Sequence, residues 1–144
     1  METRYSAHGC YRHENHIVWI PKYRKSVLIR GIRTYVERNF KVYPKYRPEI
    51  SIVQYNIQPD HVHLIIIIPP KYAVSKIVGE LKANTSCSIR HRFPWIKQTY
   101  RENVFWSPGF FSSTIGLNEE EIQRYINYQE KLDKETIQLK LDLF

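Results

Sequence analysis

Two short stretches hold side chains able to do chemistry. The first is QPDHVHLIIIIPP, residues 58–70, where His61 and His63 flank Val62 at the start of an apolar run. Residues i and i+2 of a strand point to one face, so the two imidazoles stand side by side while Val62 faces away. That spacing makes half of a metal site, and it equally suits a hydrogen-bonded pair or a zinc site. The second stretch is EEEIQRYINYQEKLDK, residues 119–134. At about 100° per residue Ile122, Ile126 and Gln129 share one stripe, with Tyr125 on its edge one turn before Gln129 and Tyr128 further round. An amide on a packing face needs a partner, because an unsatisfied buried polar group costs roughly 1–3 kcal/mol. Two imidazoles and an amide oxygen holding a divalent cation, with positions open to phosphate oxygens, would supply that partner. Tyr125 is then the candidate nucleophile. A phenol with a usual pKa of ~10 is weak at neutral pH, but nearby positive charge favours its phenolate. A tyrosine at helical spacing also suits a core.

The elements that must position these groups can be read from periodicity and punctuation. HIVWI (16–20) is β-branched and aromatic and stops at Pro21, which predicts a first strand. Apolar residues at Leu28, Ile29, Ile32, Tyr35, Val36 and Phe40 follow helical spacing and predict an amphipathic helix between Ser26 and Tyr43. EISIVQYNI (49–57), a turn at Gln58-Pro59-Asp60 and HVHLIIII (61–68) predict a hairpin, its second strand central because it is apolar on both faces. Val74, Ile77, Val78, Leu81 and Ile89 predict a second helix over 73–90 whose exposed side carries Lys76, Lys82 and Arg90. A fourth strand is expected from NVFW or FFSSTI, on either side of a turn at Ser107-Pro108-Gly109. Asn118 followed by Glu119, Glu120 and Glu121 is a helix start, predicting a third helix over about 119–134. The resulting order is βαββαβ, a ferredoxin- or RRM-like α+β fold. It has an antiparallel sheet with helices on one face and an added C-terminal helix.

Composition bounds the function. The 144 residues read as one domain, 1–144, with 42% hydrophobic and 25% charged residues, ordinary for a globular protein. METRYSAHGC is polar, and no apolar stretch approaches the ~20 residues that span a bilayer, so neither a signal peptide nor a membrane span is expected and the cytoplasm is the expected location. Cys10 and Cys87 lack metal-type spacing, and a disulfide between them is disfavoured in a reducing compartment. The net charge is +8, with eleven Lys/Arg against four Asp/Glu in residues 1–50 and seven against Glu80 alone in residues 71–101. Such an excess, interleaved with aromatics in PKYRK and YPKYRP, suits a partner with a phosphate backbone and stackable bases. His8, His13, His16 and His91 read as surface or structural residues. There is no Gly-rich phosphate loop and no serine elbow.

Four pieces, HIVWIPKYRK, PDHVHLIIIIPP, FWSPGFFSSTIG and YINYQ, occur in an order that resembles the single-tyrosine HUH transposases of small insertion sequences, the TnpA type that moves single-stranded DNA. The resemblance implies a palm-like sheet, a homodimer and a Mg²⁺ or Mn²⁺ ion at positions matching His61, His63 and Gln129. It also implies that the tyrosine matching Tyr125 attacks DNA beside a hairpin to leave a 5′-phosphotyrosine and a free 3′-OH, often with its helix supplied by the other subunit. The candidate DNA-binding surface comprises Lys22, Tyr23, Arg24 and Lys25 with Lys76, Lys82 and Arg90. Phe110 stands where a tyrosine is common in that family, and QLKLDLF matches no motif; its alternating leucines suggest docking on a partner subunit. The competing readings are a non-enzymatic module binding single-stranded DNA or RNA hairpins, a domesticated relative that processes repeated hairpins, and a hydrolytic nuclease in which Tyr125 only packs.

Overall fold

The computed structural model describes residues 13–142 in full and the backbone of residues 4–6 and 9–11. A short N-terminal hairpin, β1 (Arg4–Ser6) and β2 (Gly9–Tyr11), precedes the predicted order and was not foreseen. The expected elements follow as β3 (Glu14–Trp19), α1 (Arg30–Tyr46), β4 (Ser51–Gln58), β5 (His61–Ile67) and α2 (Val74–Arg92). A single helical turn α3 (Ile96–Thr99), the strand β6 (Phe111–Ser113) and α4 (Glu119–Asp142) complete the chain. The four-stranded sheet is antiparallel throughout, in the order β4-β5-β3-β6. The βαββαβ reading is borne out, with β5 central as its apolar character required.

Strand parity decides which helix covers which face. Ile17 and Trp19 point one way with Val62, Leu64 and Ile66, and join Ile32, Val36 and Phe40 of α1 and Ile77, Leu81 and Ile89 of α2 in the main core. Val18 and Ile20 point the other way and pack against Ile122 and Ile126 of α4. Both isoleucines are almost fully buried, so each contributes roughly 1.5–3 kcal/mol to docking the helix. The helices α1 and α2 therefore share one face, as expected, while α4 lies on the opposite face. Val18 pairs with His63 in the β3–β5 ladder, so the two histidines share the face of α4.

Some boundaries differ from expectation. Leu28 and Ile29 precede α1, because Ile29 is an extended N-cap and the helix starts at Arg30, whose φ is 50°. Of the two candidates for the fourth strand, FFSSTI supplies it; in NVFW, Phe105 and Trp106 are core residues, and Trp106 makes an isolated bridge to Pro21. Cys87 is an exposed free thiol on α2. His8, the Cys10 side chain, Leu143 and Phe144 lie outside the described residues. Among the described residues no helix is long and apolar enough to cross a membrane.

Candidate active site

The two histidines are held differently. His61, 5% exposed, follows the Pro59-Asp60 turn, and its Nδ1 lies 2.8 Å from Asp60 Oδ1. A carboxylate only accepts, so Nδ1 carries the proton and Nε2 presents its lone pair. Burial pushes the Asp60 carboxyl up, but hydrogen bonds from His61 and Arg24 outweigh it and hold Asp60 below its ordinary range. His63 is half-buried, and its Nε2 lies 3.4 Å from Nδ1 of His16 on β3. Burial, with repulsion from His16 and His61, lowers the His63 pKa and favours the neutral ring that binds metals.

The helix α4 brings the second half. Asn118 Oδ1 accepts the Glu121 N–H at 2.8 Å, the N-cap that the sequence predicts. From there Ile122, Ile126, Gln129 and Asp133 form the buried stripe. Gln129 Nε2 donates to Asp133 Oδ1 at 3.1 Å, and Gln129 Oε1 lies 3.5 Å from the Tyr125 hydroxyl. Because Asp133 can only accept, the amide nitrogen is committed to it and Oε1 is the end that accepts from the Tyr125 hydroxyl. Gly109 borders this arrangement. Its φ is +98°, and a Cβ there would lie 3.4 Å from Gln129 Oε1. Burial, with the negative charge of Asp133, raises the Tyr125 pKa above that of an ordinary phenol. Tyr125 packs its ring 5.7 Å from that of Phe111 on β6, whereas Tyr128 is 59% exposed.

Register relates the halves. Phe111, Val18 and His63 form one cross-strand row, so the position on which Tyr125 rests is two strand spacings, roughly 10 Å, from His63. Among the described residues no hydrogen bond joins either imidazole to Gln129 or Tyr125. Arg24 links the halves instead. Its Nε donates to Asp60 at 2.8 Å, while its two terminal nitrogens reach Asn127, Glu130 and Gln123 on α4 at 2.7, 3.1 and 3.4 Å. Among the described residues no three His, Cys, Asp or Glu side chains cluster as a metal site. Beside the imidazoles, Gln129 offers a buried amide oxygen whose nitrogen is already satisfied. His61, His63 and Gln129 fit a divalent cation in donor chemistry.

The family model for IS200-like transposases matches residues 10–129, most of the chain. The chain belongs to the IS200-like transposase family. It is 33% identical over 135 residues to the transposase for insertion sequence element IS200 of Salmonella typhimurium, covering 94% of this chain and 88% of that one. It is 27% identical over 126 residues to the ISDra2 transposase TnpA of Deinococcus radiodurans, covering 87% of this chain and 88% of the other. The crystal structure of a candidate transposase from Deinococcus radiodurans superposes with a TM-score of 0.75 at 24% identity, covering 88% of this chain and 97% of that one. A REP-associated tyrosine transposase bound to a REP hairpin superposes with a TM-score of 0.52 at 18% identity, covering 82% of this chain and 68% of its own. These two likenesses show a shared fold. The protein is thus a DNA transposase, an enzyme of DNA strand transfer.

The transposase uses several of its sequence-selected cations internally. Lys25 and Lys76 are exposed, Lys25 donating to Thr99 O at 3.1 Å. Lys22, expected on the DNA surface, sits 3.7 Å from the buried Asp133, and Tyr23 hydrogen-bonds Glu102 through its hydroxyl at 3.1 Å. The expectation that Lys82 and Arg90 are exposed needs correction. Lys82 donates to Ser107 O and Gly109 O at 2.9 and 2.6 Å, and Arg90 donates to Tyr100 O and Val104 O at 3.3 and 3.0 Å. Segment 94–109 folds over that side of α2 and turns its carbonyls towards both cations. Burial lowers the Lys82 pKa to about 8. Lys22, Lys82 and Arg90 still meet at one cavity of about 700 Å³, lined also by Lys97 and His91. Sequence reasoning missed Asp60, His16 and Asp133. Only the adjacency of Asp60 to His61 was a visible signal.

Proposed function

We propose that this transposase cleaves and rejoins single-stranded DNA beside hairpins, with Tyr125 as nucleophile and a divalent cation, Mg²⁺ or Mn²⁺, at His61, His63 and Gln129. The observation that carries the reading is the Gln129 amide: buried on a packing face, its nitrogen tied to Asp133 and its oxygen turned towards the Tyr125 hydroxyl. Such a cation, when bound, withdraws charge from the scissile phosphate. Tyr125 Oη attacks phosphorus, the P–O3′ bond breaks, the phenol proton leaves and the departing 3′ oxygen takes up a proton. The 5′-phosphotyrosine conserves the ester, and a 3′-OH attacking it reverses the step and rejoins DNA. Asp60 holds His61 in the required tautomer, and neutral His63 completes the imidazole pair. The cavity shared by Lys22, Lys82 and Arg90, together with the exposed Lys25 and Lys76, supplies positive potential for the backbone.

On this reading the protein works as a homodimer in which α4, docked on its own sheet through Ile122 and Ile126, keeps Tyr125 and Gln129 on the face of its own histidines. The outward side of α4 exposes Tyr128, Leu132, Leu139 and Leu141, apolar surface that a second subunit would cover. The REP-hairpin complex of the structural neighbour supports hairpins as substrate. The test incubates the protein with 3′-labelled single-stranded hairpin DNA from the sequence flanking its gene, with Mn²⁺ or EDTA, on a denaturing protein gel. A metal-dependent labelled band at protein mass, lost in Tyr125→Phe and kept in Tyr128→Phe, is expected. Cleavage retained by Tyr125→Phe, or a free 5′-phosphate with no protein adduct, overturns the assignment.

A further inference from the structure

Asp133 lies four residues beyond the last residue matched by the family model, yet it is 2% exposed and satisfied on both oxygens. Its Oδ2 accepts the backbone N–H of Tyr23 at 2.9 Å. Its Oδ1 accepts from the Ser107 hydroxyl at 2.9 Å and from Gln129 Nε2 at 3.1 Å. Lys22 Nζ stands 3.7 Å from Oδ1. An acid this deep on a helix face costs free energy unless it is bonded throughout. Three stretches converge to bond it: the short helical turn Lys22–Arg24, the Ser107-Pro108-Gly109 turn and α4 itself.

We infer that Asp133 is a positioning residue that sets the rotamer and sense of the Gln129 amide, so that oxygen rather than nitrogen faces the metal position. The inference rests on the reading of Gln129 as a ligand given above. An amide has two ends of nearly equal shape and opposite character, and only the oxygen end binds a cation. A carboxylate at position 133 makes the choice, because it takes only the NH₂ end. The backbone N–H of Tyr23 anchors the carboxylate from the far side and cannot be reversed by any side-chain rotation.

The same anchor makes the inference sharply testable. In Asp133→Asn the side-chain oxygen must face the Tyr23 N–H, since its NH₂ would meet another donor there. The NH₂ then faces Gln129, which turns its own oxygen to it and offers NH₂ to the metal position. Shape is kept and the sense of the site is inverted. Adding Gln129→Glu to this variant restores an oxygen on both sides, because a carboxylate accepts from Asn at 133 and still presents an oxygen outward. Gln129→Glu alone sets two carboxylates against each other.

Mn²⁺ alone is titrated into the purified full-length protein and followed by the electron paramagnetic resonance of the free ion, with thermal unfolding recorded for every variant. Asp133→Asn should weaken Mn²⁺ binding roughly 10–100-fold, the range for a residue that orients a ligand, and the double variant should regain most of it. Equal Mn²⁺ affinity in wild type and Asp133→Asn, with binding lost in Gln129→Ala, overturns the role of Asp133. So does a double variant that binds no better than Asp133→Asn, which would mark Asp133 as merely structural. Unchanged Mn²⁺ binding in Gln129→Ala overturns the ligand reading itself, a separate outcome.

Discussion

Asp60 and His61 are adjacent in the chain and also joined through their side chains, Oδ1 to Nδ1 at 2.8 Å. Adjacent residues on a strand point to opposite faces, so this contact needs the chain to turn between them. The Pro59-Asp60 turn does that, and Asp60 thereby orients a ring that its own backbone helps to place.

Asp60→Ala removes the acceptor that fixes the His61 tautomer and one of the partners of Arg24. Mn²⁺ affinity should fall roughly 10–100-fold with the fold intact. Titration of the ion checks this, and the circular dichroism spectrum should match wild type.

Arg24→Ala removes the tether between the β4–β5 turn and α4. Its guanidinium is only 23% exposed and bonds Asp60 and Glu130, themselves about one quarter exposed. Leaving those carboxylates without their cation should destabilise the protein by roughly 1–3 kcal/mol. Amide hydrogen exchange should accelerate selectively in the first three turns of α4, and uniform exchange across the chain would contradict the tether.

Gly109→Ala places a β-carbon at φ +98° and 3.4 Å from Gln129 Oε1. The backbone strain alone should cost roughly 1–3 kcal/mol. A backbone shift that relieves this strain would move the turn against Gln129 Oε1 and should weaken Mn²⁺ binding as well, whereas Gly116→Ala, with open space around the new methyl, should change neither. Chemical denaturation and ion titration of the two variants give the comparison.

Lys82 offers a pH prediction. Its pKa is lowered by burial to about 8 from an ordinary 10.5, so between those values the unfolded chain binds more protons than the folded one. Stability attributable to this residue therefore rises with pH from about 8 to about 10.5. Below pH 8 the folded protein carries a partly desolvated ammonium. The stability difference between wild type and Lys82→Met, measured by denaturant titration at pH 7.5 and pH 10, should shift in favour of wild type at the higher pH.

The sequence alone determined what local periodicity can encode. Alternation placed His61 and His63 on one face, the apolar run made β5 central, and the cap at Asn118 with the stripe through Ile122, Ile126 and Gln129 set the start and buried face of α4. Its end was not legible. The apolar stripe fades after Asp133, but α4 continues through i, i+4 ion pairs such as Lys131 with Glu135, which carry no hydrophobic signal. The tertiary structure alone decided which charges are surface and which are structural. On a helical wheel Lys82 and Arg90 read as solvated, and Asp133 falls on the apolar stripe of α4 with no local partner for its charge. They are buried or half-buried because segments distant in the chain cross them: the 94–109 segment over α2, and the Tyr23 N–H, 110 residues from Asp133, against α4. Such bonds depend on through-space convergence, and no spacing along the chain records that.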